Sequence, residues 1–372
     1  MTKKYLKIRP LDTLFFRTGK PFSGGEVSWT ESSLLPNPSV FWGAIYSMLM
    51  THGIVDCEKV KSQNPVERKK ELEKLKLGRV FLYDGNKGVD RLYLPVPLDT
   101  YYEKDNENKT GVFKLIKDAN SHLSLSNYQG IPNYKLVAHK DTVIEGSKEA
   151  FIDSTSFSNN IYLYPKRGNL SIKSHSKLIE KSHKVGVKRN NQSHTAEEGM
   201  LYRINSSQFK EDIYFVVELE VEDHEKKFPS KGLLKLGGEG RGVSYEFFTK
   251  ERKIHKIKTK LLNSFDESFN YLRLYLYSPT FFDSGTGIDE LKEAGFEILS
   301  ACLGKTQTIG GFDILKNKPK AMQKAVPAGS IYFLRTTPKL SYQKIESKLN
   351  QVLKPCDKGF GLFEILPLTI KE

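Results

Sequence analysis

Apolar and polar positions alternate along Tyr5–Leu11, "YLKIRPL", which is the period of a half-buried strand. The period then changes. In "LPNPSVFWGAIYSMLMTHG" apolar residues recur at helical spacing, Asn37 stands at the N-cap, Pro38 at the first helical position, and Gly53 stops the run. From Ile54 to about residue 197 the chain is polar, rich in Asn and Ser, and irregular. Within it "RVFLYDGNKGVDRLYLPVP" reads as a hairpin turning at Asp84-Gly85-Asn86, and Asn106–Thr110 and Ser154–Asn160 read as loops. Regular structure resumes with strand-like Gly199–Ile204 and Asp212–Val221. A short helix over Pro229–Leu236, a glycine-rich loop and the strand "VSYEFF" follow.

After the basic run "TKERKIHKIKTK" the same order recurs. Tyr271–Phe282 alternates as a strand, and Ile288–Gly304 has the pattern of an amphipathic helix. "TIGGFDIL" and "GSIYFLRT" read as strands, Ser341–Leu353 as a second helix, Asp357–Gly361 as a glycine turn and "LFEILPL" as the last strand. The pattern is β-α-β-β-α-β, and the N-terminal part repeats it once its long interruption is removed. The expected class is therefore α+β, with two ferredoxin-like (RRM-like, βαββαβ) domains in tandem. The first spans residues 1–250 with an insertion at about 54–197, the basic linker spans 251–268 and the second domain spans 269–372. Two unrelated α+β domains are the alternative.

Charge and size narrow the class of partner. A chain of 372 residues can bury its core without disulfides, and Cys57, Cys302 and Cys356 form no CxxC pair. The net charge is +14, and it is segregated. Pro165–Thr195 carries eight Lys or Arg against one acid, Glu180, and Ala301–Lys344 carries eight against one. A basic face of this kind attracts polyanions, most often nucleic acid. The longest apolar run, Val40–Met50, is about half of the ~20 residues a membrane span needs, so a cytoplasmic protein with no membrane contact is expected.

The candidate chemistry is sparse. The loop "LGGEGRG" lacks the third glycine and following helix of a dinucleotide fingerprint, and "GKT" at Gly304–Thr306 lacks the first glycine of a phosphate-binding P-loop. Gly237, Gly238, Gly240 and Gly242 around Arg241 suit either a tight turn or close approach to an RNA backbone. In the second case bare amides cradle phosphate oxygens and the guanidinium clamps one. "FFDSGTG" has the look of an aspartic-protease loop, but it occurs once where that chemistry needs two, so it reads as a helix cap. No HxH or HExxH motif marks a metal site, and no cofactor is expected. Aromatics interleaved with charge in "LFFRTGKPF" suit single-stranded RNA as well as a core.

Taken together, "DTLFFRTGKPFSGGE", "SSLLPNPSVFWGAIYSML", "VGVKRN…HTAEEGMLYR", "LGGEGRGVSYE", "TIGGFDILKNKPKAMQKAVPAGSIYF" and "GFGLFEI" resemble, in order, a RAMP-superfamily subunit family of type III-B CRISPR (Cmr) effectors. The resemblance implies two ferredoxin-like domains and a non-catalytic protein in antiviral defence. It implies that the protein grips the 5′ tag of the CRISPR RNA and docks the large polymerase/HD-type subunit and the first backbone RAMP subunit. It implies a thumb-like hairpin within the insertion, near Tyr164–Asn190, and an RNA-facing glycine loop at Gly237, Gly238, Gly240, Arg241 and Gly242. Arg17, Lys20, Lys188, Arg189, Arg203 and Arg241 would then neutralise phosphates, and His194 would join them as an RNA-binding residue. The competing enzymatic reading is a metal-independent endoribonuclease acting on precursor RNA, with His194 as its candidate acid or base.

Overall fold

The structure is a computed structural model and describes residues 2–18, 28–30, 32–33, 35–86, 91–104, 106–117, 134–138, 143–146, 149–158, 170–222, 228–248, 269–313 and 318–368. Lys20, the linker 251–268 and residues 164–169 of the expected thumb lie outside them. The fold is α+β, with several antiparallel sheets.

The larger sheet has at its centre Leu75–Asp84, Ile213–Val221, Thr2–Pro10 and Gly242–Phe247, neighbours in that order and antiparallel throughout. The C-terminal sheet runs Glu297–Cys302, Ile331–Leu340, Phe269–Leu276, Phe363–Pro367. Counted in chain order within each group of four, both read second-third-first-fourth. Leu75–Asp84, which the sequence reading places inside the insertion, is thus a central strand. It continues into the expected hairpin with Arg91–Pro95.

Four layers stack. The helix Pro38–Thr51 buries Phe41, Ile45 and Leu49 against Leu6, Ile8, Phe215 and Val217 on one face of the larger sheet. Strand alternation sends Tyr5, Phe81, Tyr214 and Val216 to the other face, where they meet Tyr275, Tyr277, Ile331 and Phe333 of the C-terminal sheet. The far face of that sheet, Leu272, Leu274, Tyr332 and Leu334, is covered by Leu291 of the helix Ile288–Glu293 and by Ile345, Leu349 and Leu353 of the helix Tyr342–Leu353. Among the described residues no helix is long and apolar enough to cross a membrane.

Several local expectations differ from the structure, among them Ser154–Asn160, read as a loop, which opens with a helical turn at Ser154–Ser156. The helix expected over Ile288–Gly304 ends at Glu293, because Gly295 takes a left-handed φ of +85° and returns its N–H to the Lys292 carbonyl; Glu297–Cys302 then continues as a strand. The helix expected over Pro229–Leu236 is a strand, Lys231–Lys235, paired with Gly242–Phe247, which makes the glycine loop a hairpin turn. Asn106–Thr110, read as a loop, lies in the strand Asn106–Val112.

Charge is buried between the two sheets. Arg273 of the C-terminal sheet pairs with Asp99, which lies just beyond the hairpin of the N-terminal half, and neither side chain is exposed (0%/0%). Leu98 N–H donates to the Gly329 carbonyl at 2.9 Å, and the Tyr275 hydroxyl donates to the Pro95 carbonyl at 2.7 Å. Nearby, Arg79 Nε donates to Glu218 at 2.7 Å, and Lys3 also pairs with Glu218. Burial alone would raise the Glu218 carboxyl, but Arg79 and then Lys3 outweigh it and hold the group at about 2, against an ordinary 4.5.

Asp99→Ala strands a buried guanidinium and is expected to cost about 3–5 kcal/mol, read by chemical denaturation; replacing Asp99 and Arg273 together by leucines should cost less. The Glu218 carboxyl is depressed in the folded state, so its contribution is present above 4.5 and is lost as pH falls toward about 2. That loss is on the order of 3 kcal/mol, and Glu218→Gln should flatten this acid limb of the stability curve.

Candidate nucleic-acid interface

The short segment Asp12–Arg17 organises the site. Leu14 and Ser207 exchange backbone hydrogen bonds of 2.9 and 2.7 Å. The Phe16 carbonyl accepts from Ser33 N–H at 2.8 Å, and Phe16 N–H donates to Ser32 Oγ at 2.9 Å. The Phe15 carbonyl accepts from Gly238 N–H at 2.8 Å. One extended segment therefore joins the base of a long ribbon to the glycine turn.

The turn is closed by Leu236 N–H to the Arg241 carbonyl at 2.9 Å, with left-handed φ at Gly237 (+81°), Glu239 (+58°) and Gly240 (+64°). A Cβ on Gly237 would stand 2.5 Å from the Phe15 carbonyl oxygen, and one on Gly238 would stand 2.8 Å from the Phe15 ring. At Gly240 nothing lies within 4 Å. Packing on Phe15 accounts for the first two glycines and turn conformation for the third.

Arg241 is engaged within the chain. Its fork donates to Asp12 Oδ2 at 2.7 Å and to Glu239 Oε2 at 2.8 Å. The Asp12 carboxyl is held below its ordinary value, first by the Thr13 N–H and then by the charges of Lys184 and Arg241. A phosphate entering here meets a guanidinium already clamped by two carboxylates, and it must displace at least one of them.

Beside the turn lies an open cleft of ≈ 400 Å³, lined by Arg17, Lys235, Gly237 and Gly238 and by Asn37, Ser39 and Gly43 from the start of the long helix. Asn37 makes no side-chain cap and the first turn of that helix has no acid, so its partial positive end is uncompensated locally. Lys235 and this helix end were not singled out in the sequence. Their only signal was the lysine preceding the glycines and the Asn-Pro pair, which reads equally well as an ordinary helix start.

The other expected residues lie on the ribbon. Ile179–Arg189 and Ala196–Phe209 pair along most of their length, and the ribbon stands largely in solvent. Lys188 is paired with Glu197 at 2.7 Å. At the tip, Arg189 Nη2 approaches His194 Nδ1 at 3.4 Å, and His194 has a left-handed φ of +56° in a turn organised by Asn190. Arg203 lies midway along the second strand, opposite Val185, which is 66% exposed. The expected site residues thus form two groups, Arg17 with the glycine turn, and Lys188, Arg189, His194 and Arg203 on the ribbon. Among the described residues no three of His, Cys, Asp and Glu converge as metal ligands.

Comparison with solved structures places this fold with that of a CRISPR effector subunit. The cryo-EM structure of the type III-B Cmr-beta bound to cognate target RNA contains a chain similar to this one at 16% identity and a TM-score of 0.51, covering 89% of this chain and 86% of that one. A second structure, with cognate target RNA and AMPPnP in state 1, matches at 16% identity and a TM-score of 0.50, with the same coverage of 89% and 86%. Among curated proteins no relative is found. The model of the family described as CRISPR-associated protein (Cas_Cmr3) matches residues 6–367, and the chain belongs to that family, whose members are subunits of type III-B Cmr effectors.

The two turn glycines make a direct check. Gly240→Ala is expected to cost about 1 kcal/mol through its left-handed φ. Gly237→Ala adds a collision with the Phe15 carbonyl and should cost clearly more, both being read from thermal or denaturant unfolding.

Proposed function

We propose that this protein is a non-catalytic RNA-binding subunit of the type III-B Cmr ribonucleoprotein. It caps the 5′ tag of the CRISPR RNA and bridges the large polymerase/HD-type subunit to the first backbone RAMP subunit. In this reading the chain acts in the cytoplasm as two ferredoxin-like units, residues 1–250 and 269–372, joined by the linker 251–268. The strand order common to both sheets supports that division. Family membership and a likeness to a chain of an RNA-bound Cmr complex support the RNA.

The observation that carries the reading is the cleft. Arg17, far from the glycine turn in sequence, lines the same opening as Gly237 and Gly238, beside Lys235 and a helix N-terminus without local acids. Amides, guanidinium and ammonium there suit consecutive phosphates, which fix register without reading sequence. The ribbon Ile179–Phe209 takes the part of the thumb, with Arg189 and His194 at its tip and solvent-facing Val185 and Val187 offering an apolar surface to a displaced base. Nuclease chemistry needs an acid and a base at one phosphate. The side chain near His194 is Arg189, which is neither an acid nor a base at such a phosphate, and no observation favours that reading.

Arg241 gives a test with two signs. Arg241→Ala should weaken binding of tag-bearing RNA and flatten the slope of log K against log salt by about 0.7, while Asp12→Asn, which removes a competing carboxylate, should tighten binding. Unchanged slopes in both variants, or co-purified RNA whose sequenced 5′ ends carry no repeat-derived tag, would refute the assignment.

A further inference from the structure

The larger sheet ends on an open strand. Lys231–Lys235 is the last in its order, paired on one side with Gly242–Phe247 and on the other with no strand among the described residues. The hydrogen bonds of the hairpin give its phase. Phe247 N–H donates to the Ser230 carbonyl at 3.1 Å and Leu236 N–H to the Arg241 carbonyl at 2.9 Å, so Gly232 and Leu234, in step with them, are the bonded positions between. The Gly242 carbonyl, opposite Lys235, accepts from Leu11 N–H on its other side, in the same phase. The N–H and C=O groups of Lys231, Leu233 and Lys235 therefore point outward from the sheet edge, and no described backbone group meets them.

Exposed edges are usually blunted against pairing. In the C-terminal sheet, Glu297–Cys302 has an irregular register between Ile298 and Ser300, and Phe363–Pro367 ends on proline. Lys231–Lys235 pairs without a break, contains no proline, and carries Leu233, 71% exposed, at its middle. Alternation puts Lys231 and Lys235 on the face of Leu233, while Leu234 turns into the core beneath the long helix. Neither lysine has an ion-pair partner among the described residues. Glu246, opposite Lys231, is held by Lys7 at 2.7 Å.

We infer that Lys231–Lys235 receives a strand from a protein partner, which presents an apolar side chain at Leu233 and carboxylates at Lys231 and Lys235. A row of alternating donors and acceptors is complementary to another extended backbone, and alternate side chains then select the partner. Phosphates offer acceptors only, and the outward carbonyls repel them, so RNA fits the edge poorly. A second copy of this chain fits no better. Antiparallel pairing about Leu233 sets Lys231 against Lys235 of the copy, and parallel pairing sets each lysine beside its equivalent, like charges in both cases. The inference concerns a protein contact and stands without the RNA reading above, with which it shares Lys235 alone.

The test is residue-resolved hydrogen exchange on the full chain, alone, with single-stranded RNA, and within the reconstituted Cmr complex. In the free chain the amides of Lys231, Leu233 and Lys235 should exchange fast and those of Gly232 and Leu234 slowly; in the complex every amide of the strand should be slow. Leu233→Pro removes an outward N–H and no ladder bond, so the melting temperature should hardly change. Assembly, followed by titrating the labelled variant into a complex lacking this subunit, should weaken by about tenfold. Leu233→Ala keeps the N–H and should weaken it less, and Lys231→Glu should weaken it through like charge. Slow exchange of the outward amides in the free chain, their protection by RNA alone, or their fast exchange in the complex overturns the inference. So does full assembly of the Leu233→Pro variant, or a dimer of the free chain that this variant abolishes. The exchange measurements need no variant, so a Leu233→Pro chain that fails to fold leaves them to decide.

Discussion

The arrangement of this molecule depends on the contact between its two sheets, and at the centre of that contact an arginine from one half is buried against an aspartate from the other. Arg273 and Asp99 are both fully removed from solvent. An ion pair in that position adds little net stability, since desolvating two charges offsets most of their attraction. What it supplies is a penalty for misalignment. If the sheets slide, each charge remains buried and loses its partner. Around it the Tyr275–Pro95 and Leu98–Gly329 hydrogen bonds act in the same sense. The polar groups thus define a register within an interlayer that hydrophobic burial alone would hold less selectively.

That register decides which surfaces share a side. The turn Asp357–Gly361 of the C-terminal half rests against Pro38 and Leu77 of the N-terminal half, so the two halves also meet at the start of the long helix. Within the N-terminal half, Asp12–Arg17 does similar work by tying the ribbon to the glycine turn. Arg17 and Lys235, far apart in sequence, are gathered at one opening by that segment. The carboxylates of Asp12 and Glu239 on Arg241 keep one cation oriented, and they set a competition that an incoming phosphate must win.

Much of the fold was legible because it rests on local rules. Alternation in Tyr5–Leu11 and helical spacing from Phe41 to Leu49, with Pro38 at the first position, answer directly to which face is buried. The misread elements share a cause. Lys231–Lys235 and Glu297–Cys302 are short, and their propensities suit helix as well as strand. Pairing with a neighbour decided them, and such pairing leaves little local trace. Gly295 was the one available signal, a left-handed stop inside an apparently helical run.

The site divides along the same line. The glycines around Arg241 stood out in the chain, but their purpose did not. Two of them exist to let the turn lie on Phe15, a contact between residues more than two hundred positions apart. The sequence by itself determined the periodicities, the turn positions and the excess and clustering of positive charge, because these depend on side-chain chemistry and nearest neighbours. Only the tertiary structure decided which charges are spent internally, as at Arg241 and Lys188, and which face solvent together, as at Arg17 and Lys235. Coulombic partners and packing contacts are set by distance in space, and a chain folded through two packed sheets makes those distances independent of separation along it.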